Sequence, residues 1–457
     1  MPPQSLLFSA TATARWLLLT AWLGATSVSS SLRAHPLKAT PLDHAHVYAF
    51  DQFYLPEDDD AFLTQGGLTL LAELSCASCH SVAPVWQSLI GTKPGPDLSA
   101  VGSRLDLDAL WRFIRSPQHR KPGTQMPGLF AGNEESDADH IEAIATYLSQ
   151  LTAASTPAAP IKGEPHRGQA LYHQIGCVAC HEPASGYRPP TLPAAADLES
   201  PSLPSVPIAL ADDYNLNALA AFLLDPLKIR PASRMPAQHL SPQEAADLAA
   251  YLHTDQVPAA FLERQILNLP PQTAERGRQL FEQHRCSQCH RTSTAAAGTV
   301  KPSGLRSLSQ LNAQTTASGC LSSKRRSGIP RYDLSPLQTR ALRLAIRWVQ
   351  THPNPPLNRA QQLDHHLAGL NCYACHDQAG KGGPEFARSI YFATQPRLRP
   401  NDDVTALPPS LDQPLPQLSR AALLQRLTSP FATTDLPAGT RMPHFHPTSI
   451  APLLPPE

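Results

Sequence analysis

The sequence predicts an all-α protein built from tandem small domains, each closed by Pro/Gly-rich loops. Three observations predict it. The pentapeptide Cys-x-x-Cys-His occurs four times along 457 residues, at intervals of 101, 109 and 86 residues, which are small-domain lengths. Each copy follows a segment whose apolar residues fall at three- and four-residue spacing, the pattern of an amphipathic helix. Proline is abundant at 48 residues while charged residues are only 16%. That composition suits short helices joined by many loops better than long solvated helices.

The first helical segments run into the cysteines as GGLTLLAELSCASCH at 66–80 and RGQALYHQIGCVACH at 167–181. RGRQLFEQHRCSQCH at 276–290 and RAQQLDHHLAGLNCYACH at 359–376 repeat the plan. A loop and a short helix stopped by Pro follow: LDALWRFIRSP at 107–117, LNALAAFLLDP at 216–226 and LSRAALLQRLTSP at 418–430. Next comes a loop holding Met-Pro: GTQMP at 123–127, ASRMP at 232–236 and GTRMP at 439–443. Closing helices are expected over 138–151, 241–254 and 335–352, the second with a Ser241/Glu244 capping box and Pro242 at its first position. The expected division is 1–34 as an export signal, 36–152 and 165–256 as the first two domains, 257–356 as a divergent third, and 357–457 as a fourth without a closing helix. A packed neighbour or a partner subunit is expected to cover the open side of that fourth unit.

Cys-x-x-Cys-His is the attachment sequence of c-type haem. Two thiols add across the vinyl groups, and the His that follows reaches the iron. On this reading four haems c are held covalently by Cys76/Cys79, Cys177/Cys180, Cys286/Cys289 and Cys372/Cys375, with His80, His181, His290 and His376 as proximal ligands. Zinc needs four ligands at close spacing, and no second Cys pair accompanies any motif. Met126, Met235 and Met442 are each followed by Pro, and are the expected distal ligands of the first, second and fourth haems. His/Met ligation closes the iron to substrates and suits electron transfer. The third unit has no Met. Cys320, near the cationic Lys324, Arg325 and Arg326, is its leading candidate sixth ligand; Tyr332, His352 and an open iron are the alternatives. Arg234 and Arg441, beside Met residues, are candidate propionate partners.

The N-terminus reads as an export signal. Trp16 to Ala25 is an apolar run too short to span a bilayer, preceded by the single charge Arg15. Periplasmic or otherwise exported localisation is expected, with an uncleaved anchor and peripheral membrane association as the alternative. The net charge is zero, but residues 36–152 hold 7 Lys/Arg against 15 Asp/Glu, and 257–356 hold 14 against 4. Two readings stand. Redox partner proteins, or a second copy, dock through the acidic first or basic third unit; or these charges balance within one molecule. Nucleic acid is not an expected partner, because the basic unit lacks interleaved stacking aromatics.

The helix–CxxCH start, the late Met-Pro loop and the closing helix resemble class I cytochrome c domains. KPGPDLSAVGSRLD at 93–106, GKGGPE at 380–385 and RMPHF at 441–445 are similar to segments of the multi-domain c-type cytochromes of planctomycetes and related bacteria. The resemblance covers most of the chain beyond residue 34. It implies an exported haem protein without naming a substrate. It also implies that Pro96 packs by His80, with Gly383-Pro384 in that role for the fourth haem. The expected function is a multihaem electron carrier. The alternative is a haem redox enzyme or enzyme subunit that uses the third haem on peroxide or a small inorganic or sulfur compound, and a sensing module is a third reading.

Overall fold

The computed structural model describes residues 42–130, 135–153, 161–190, 201, 203–208, 213–232, 234–253, 271–293, 305–311, 319–322, 328–355, 357–392, 407–412, 419–429 and 441–450. The expected export signal, the Lys324–Arg326 cluster and the last residues of the Pro-rich tail lie outside them. The longer helices are α1 (Asp60–Glu73), α2 (Leu107–Arg115), α3 (Glu135–Ser149), α4 (Pro165–Gln174), α5 (Leu216–Leu224), α6 (Pro242–Leu252), α7 (Pro271–Gln283), α8 (Pro336–Thr351), α9 (Arg359–Gly369) and α10 (Arg420–Thr428). The strand content among described residues is one hairpin pairing Asp377–Gln378 with Lys381–Gly382. No helix among the described residues is long and apolar enough to cross a membrane.

Local signals start these helices where the sequence places them. Asp59 caps α1 by accepting from the Phe62 N–H, Asp106 caps α2 from Ala109, and Asn215 caps α5 from Ala218. The Ser241/Glu244 capping box is formed at α6, and Ser335/Gln338 makes another at α8. Helix α1 is buried over most of its surface from Leu63 to Glu73. It is apolar nearly all round because α8 and α9 both pack on it.

The helices before the cysteines cross the closing helices at glycine. An added Cβ on Gly168 of α4 would meet the Asp247 carbonyl oxygen of α6 at 2.0 Å. On Gly67 of α1 it would meet the Ala341 oxygen of α8 at 2.1 Å, and on Gly277 of α7 the Ala143 oxygen of α3 at 1.9 Å. Each of these glycines stands nine residues before the first cysteine of its motif; the fourth unit has Leu363 there. Without a side chain the two backbones approach closely and the flanking residues interdigitate.

The pairs do not follow the expected division. Helix α4 pairs with α6 inside one stretch, but α1 pairs with α8 and α7 pairs with α3. The first core therefore joins Leu63, Leu68, Leu70 and Leu71 of α1 to Ala341, Leu342, Ala345, Ile346 and Val349 of α8. The third joins Leu110 and Ile114 of α2 and Ile141 and Ile144 of α3 to Leu280 and Phe281 of α7. Residues 36–152 and 257–356 are thus not two separate domains, and His35–Glu457 forms a single contact unit. The opposite charges of these segments meet across the join: Arg340 of α8 pairs with Asp60 of α1 at 2.7 Å, and Arg291 pairs with Asp97.

Gly67→Val forces a side chain onto the Ala341 backbone, which has no flexible end to move aside. The expected outcome is a loss of about 2–3 kcal/mol, read as a lowered midpoint in thermal or denaturant unfolding. A wild-type midpoint would show that the crossing does not hold the fold.

Candidate functional site

All four Cys-x-x-Cys-His motifs share one backbone construction. Each attachment helix ends in a residue with positive φ immediately before the first cysteine: Ser75 at 54°, Gly176 at 110°, Arg285 at 61° and Asn371 at 57°. The left-handed residue stops the helix and turns the chain into a single 3₁₀ turn over Cys-x-x. The second cysteine and the His both donate backbone N–H to the first cysteine's carbonyl, the His bonds measuring 3.0 Å at His80 and His181 and 2.9 Å at His290 and His376. One turn thus carries two thiols and an imidazole.

Each imidazole is then oriented. The Nδ1–H of His80 donates to the Arg306 carbonyl at 2.8 Å, that of His181 to Val206 at 2.8 Å, that of His290 to Pro96 at 2.9 Å, and that of His376 to Pro409 at 2.8 Å. This fixes the tautomer with the lone pair on Nε2, the state a metal ligand requires. Burial pushes His181 down to about 4 and lowers His290 as well, which keeps both rings neutral. The nine cysteines form no disulfide, and burial raises the pKa of every motif thiol. Among the described residues no group of three or more His, Cys, Asp or Glu is placed to hold a metal ion by itself. Free paired thiols beside one oriented imidazole fit covalent haem better than zinc.

The motifs lie in two couples. The Cys76 and Cys79 thiols lie near Cys289. The buried Ser78 hydroxyl sits beside the Cys289 thiol without completing a well-formed hydrogen bond to it. In the other couple Ala179, Cys180, Ala374 and Cys375 share one apolar cluster with Tyr48, Val206 and Phe392. Arg388, which sequence reading missed, staples this second couple. Its buried guanidinium donates to the Val178 carbonyl at 2.6 Å and the His181 carbonyl at 2.8 Å.

Several expected placements need correction. Pro96 supports His290, not His80, whose partner is Arg306. At the fourth site Gly383 donates to the His376 carbonyl at 3.0 Å, while the Nδ1 partner is Pro409 rather than Gly383-Pro384. The Met126 loop runs into the core of the third motif: Leu129 and Phe130 belong to the cluster on which Cys286 packs. Cys320 lies near Cys76 and Cys79 rather than with Cys286, and Leu321 and Tyr332 join the core that Cys76 packs on. The Tyr332 hydroxyl donates to the Leu74 carbonyl at 2.7 Å, and the His352 Nδ1 bonds to the Trp348 carbonyl at 2.9 Å. Arg234 is paired with Glu73, and Arg441 with Glu244 at 2.7 Å, so both have carboxylate partners in the chain.

Met235 packs on the same core as Cys177. Met442 is 38% exposed. Its loop is held by the second unit: Ala237 and His444 exchange backbone bonds of 3.1 and 3.0 Å, and Arg441 donates to the Ile175 carbonyl at 3.3 Å. The second unit thus holds the Met442 loop of the fourth. The same exchange links Gly128 to Arg331, with both bonds at 2.9 Å. These residues stand two after Met126, Met235, Met442 and Ile329, each followed by Pro. Ile329 therefore occupies the methionine position of the loop before α8, a correspondence that Ile329-Pro330 offered in the sequence.

A cytochrome c family model matches residues 165–256, the unit whose helices, proximal carbonyl and Met235 come from one continuous stretch. The chain is also 34% identical over 102 residues to cytochrome c-552 of Bradyrhizobium diazoefficiens, an alignment covering 22% of this chain and 85% of the relative. No solved structure matches the chain.

His173 braces that unit and makes it acid-sensitive. It is buried, its Nδ1–H donates to the Gln169 carbonyl at 2.7 Å, and its Nε2 accepts from the Ala184 N–H at 3.0 Å. Only the neutral ring can do both, and burial pushes it from 6.5 to about 4. The unfolded chain takes up this proton near pH 6.5 and the folded chain resists until about 4. Stability is therefore complete above 6.5 and falls with pH between those values, by up to about 3 kcal/mol. Melting curves of wild type and His173→Gln across this range should converge as pH drops; a difference independent of pH would refute it.

Proposed function

The chain belongs to the cytochrome c family, and from that premise we propose that it is an exported tetrahaem c-type cytochrome that relays electrons between redox partner proteins. Covalent haem and electron transfer come with the family. When bound, haem supplies a one-electron couple whose potential its axial ligands and surroundings set. The eight motif cysteines tether the groups, His80, His181, His290 and His376 hold the proximal side, and Met235 and Met442 serve the second and fourth haems. Export rests on the apolar run from Trp16 to Ala25.

The arrangement of the motifs in two couples carries the relay reading. Tethers that adjoin through the side chains of Ser78 and Cys289, and of Ala179 and Ala374, bring two prosthetic groups onto neighbouring turns. Helices α1 and α9, which lead into the first and fourth motifs, pack on each other and join the couples. A carrier with one working centre has no need of such contacts. Part of the segmental charge is spent internally, since Arg340 meets Asp60 and Arg291 meets Asp97. Partner docking then falls to the charges left outside these pairs.

Intact mass of the exported protein should show four haem additions, with one lost on each Cys→Ala double substitution of a motif. Potentiometric titration should show coupling within couples. Removing the Cys286/Cys289 tether should shift the remaining titration of the Cys76 haem and leave that of the Cys177 haem unchanged. Fewer than four haems, or four groups that titrate independently, would overturn the reading.

A further inference from the structure

We infer that the haems tethered at Cys76/Cys79 and at Cys286/Cys289 exchange their distal halves, so that Met126 ligates the haem of His290 and the haem of His80 is the one without methionine. The inference rests on the haem reading above. It reverses the assignment that chain order suggests.

Helix crossings, proximal supports, cores and loop pairing point the same way. The attachment helix of the first motif crosses α8 at Gly67 and Ala341, and that of the third crosses α3 at Gly277 and Ala143. The rings of Tyr147 on α3 and Phe281 on α7 lie 5.9 Å apart. The proximal supports are exchanged too. Gly95 donates to the Cys289 carbonyl at 2.8 Å and Leu98 to Arg291 at 2.7 Å, while Leu308 donates to Ser81 at 3.0 Å. The cores agree: Cys286 shares a core with Leu129 and Phe130, three and four residues past Met126, whereas Cys76 shares one with Leu321 and Tyr332. Finally, the loop leading into α8 carries Ile329 at the methionine position, set by its reciprocal backbone pairing with the Met126 loop.

Each half-unit thus ends with its Cys-x-x-Cys-His turn, and the chain then supplies the proximal carbonyl, the distal loop and the closing helix of the other haem. An isoleucine side chain has no donor for iron. The unusual centre is therefore the first in chain order, with Cys320 beside its tethers.

The test uses the full-length, haem-loaded protein and counts methionine–iron signals, read as the charge-transfer band and the upfield methyl resonances. Replacing Cys76 and Cys79 by Ala should leave the count at its native number. Replacing Cys286 and Cys289 by Ala should lower it by one. The reverse pattern overturns the inference. Should either variant fail to fold, a photo-crosslinking benzophenone residue at Tyr147 of the otherwise native protein decides the topology. Capture of the peptide holding Phe281 supports the exchange, and capture of the peptide 60–73 sinks it. A haem count below four by mass would instead refute the tetrahaem reading, so the two failures are distinguishable.

Discussion

The contact on which the rest depends is the glycine crossing between an attachment helix and a closing helix. It sets where the attachment helix ends, and so where the left-handed residue turns the chain into Cys-x-x-Cys-His. It also anchors the closing helix, and with it the loop immediately upstream. The crossing therefore decides which loop faces which pair of tethers. Where Leu363 replaces the glycine, the fourth unit leans on the second through Arg441 and Glu244. One missing side chain, repeated three times, organises most of the molecule.

A second constraint ties the two couples together. Glu73 at the end of α1 is buried, and its carboxylate is shared by Lys93 and Arg234. Lys93 also reaches the Gly369 carbonyl of α9 at 3.1 Å, and Arg234 the Glu73 carbonyl at 2.6 Å. Burial pulls Lys93 down to about 8 and Arg234 to about 9, so removing the carboxylate would leave two desolvated cations without compensation. Arg234 immediately precedes Met235. The distal loop of one couple is in this way pinned to the attachment helix of the other.

Much of this was legible in the sequence, for reasons that are local. The amphipathic spacing, the Ser241/Glu244 box, the stops at Pro and the Cys-x-x-Cys-His turns depend on residues within a few positions of one another. The pairing of α1 with α8 and of α7 with α3 was not legible. All three crossing helices offer the same glycine nine residues before a cysteine, so the sequence marks that a crossing occurs but not with which partner. The choice is made by packing between segments far apart in the chain, Gly67 with Ala341 and Gly277 with Ala143. The charge imbalance of 36–152 and 257–356 was the visible trace of it. Docking and internal balance both explained that imbalance, and Arg340 with Asp60 and Arg291 with Asp97 show the second at work. Ile329 was missed for a related reason: a search for methionine passes over the residue that stands in its place.

The couples are built alike but are not chemically alike. In each, two loops lock through reciprocal backbone bonds two residues past the position before Pro, Gly128 with Arg331 and Ala237 with His444. One couple presents Met235 and Met442 at those positions, the other Met126 and Ile329. Methionine ligation raises the potential of a haem and closes its iron. On the exchanged assignment, the centre at His80 departs from the other three, and it lies beside a methionine-ligated neighbour in the same couple. Its attachment helix is also the one that carries Glu73 and contacts α9 of the second couple. The atypical centre therefore stands at the junction of the two couples rather than at the end of a row. A relay of four equal beads would place no such demand on α1; a molecule in which one unlike centre exchanges electrons with both couples would.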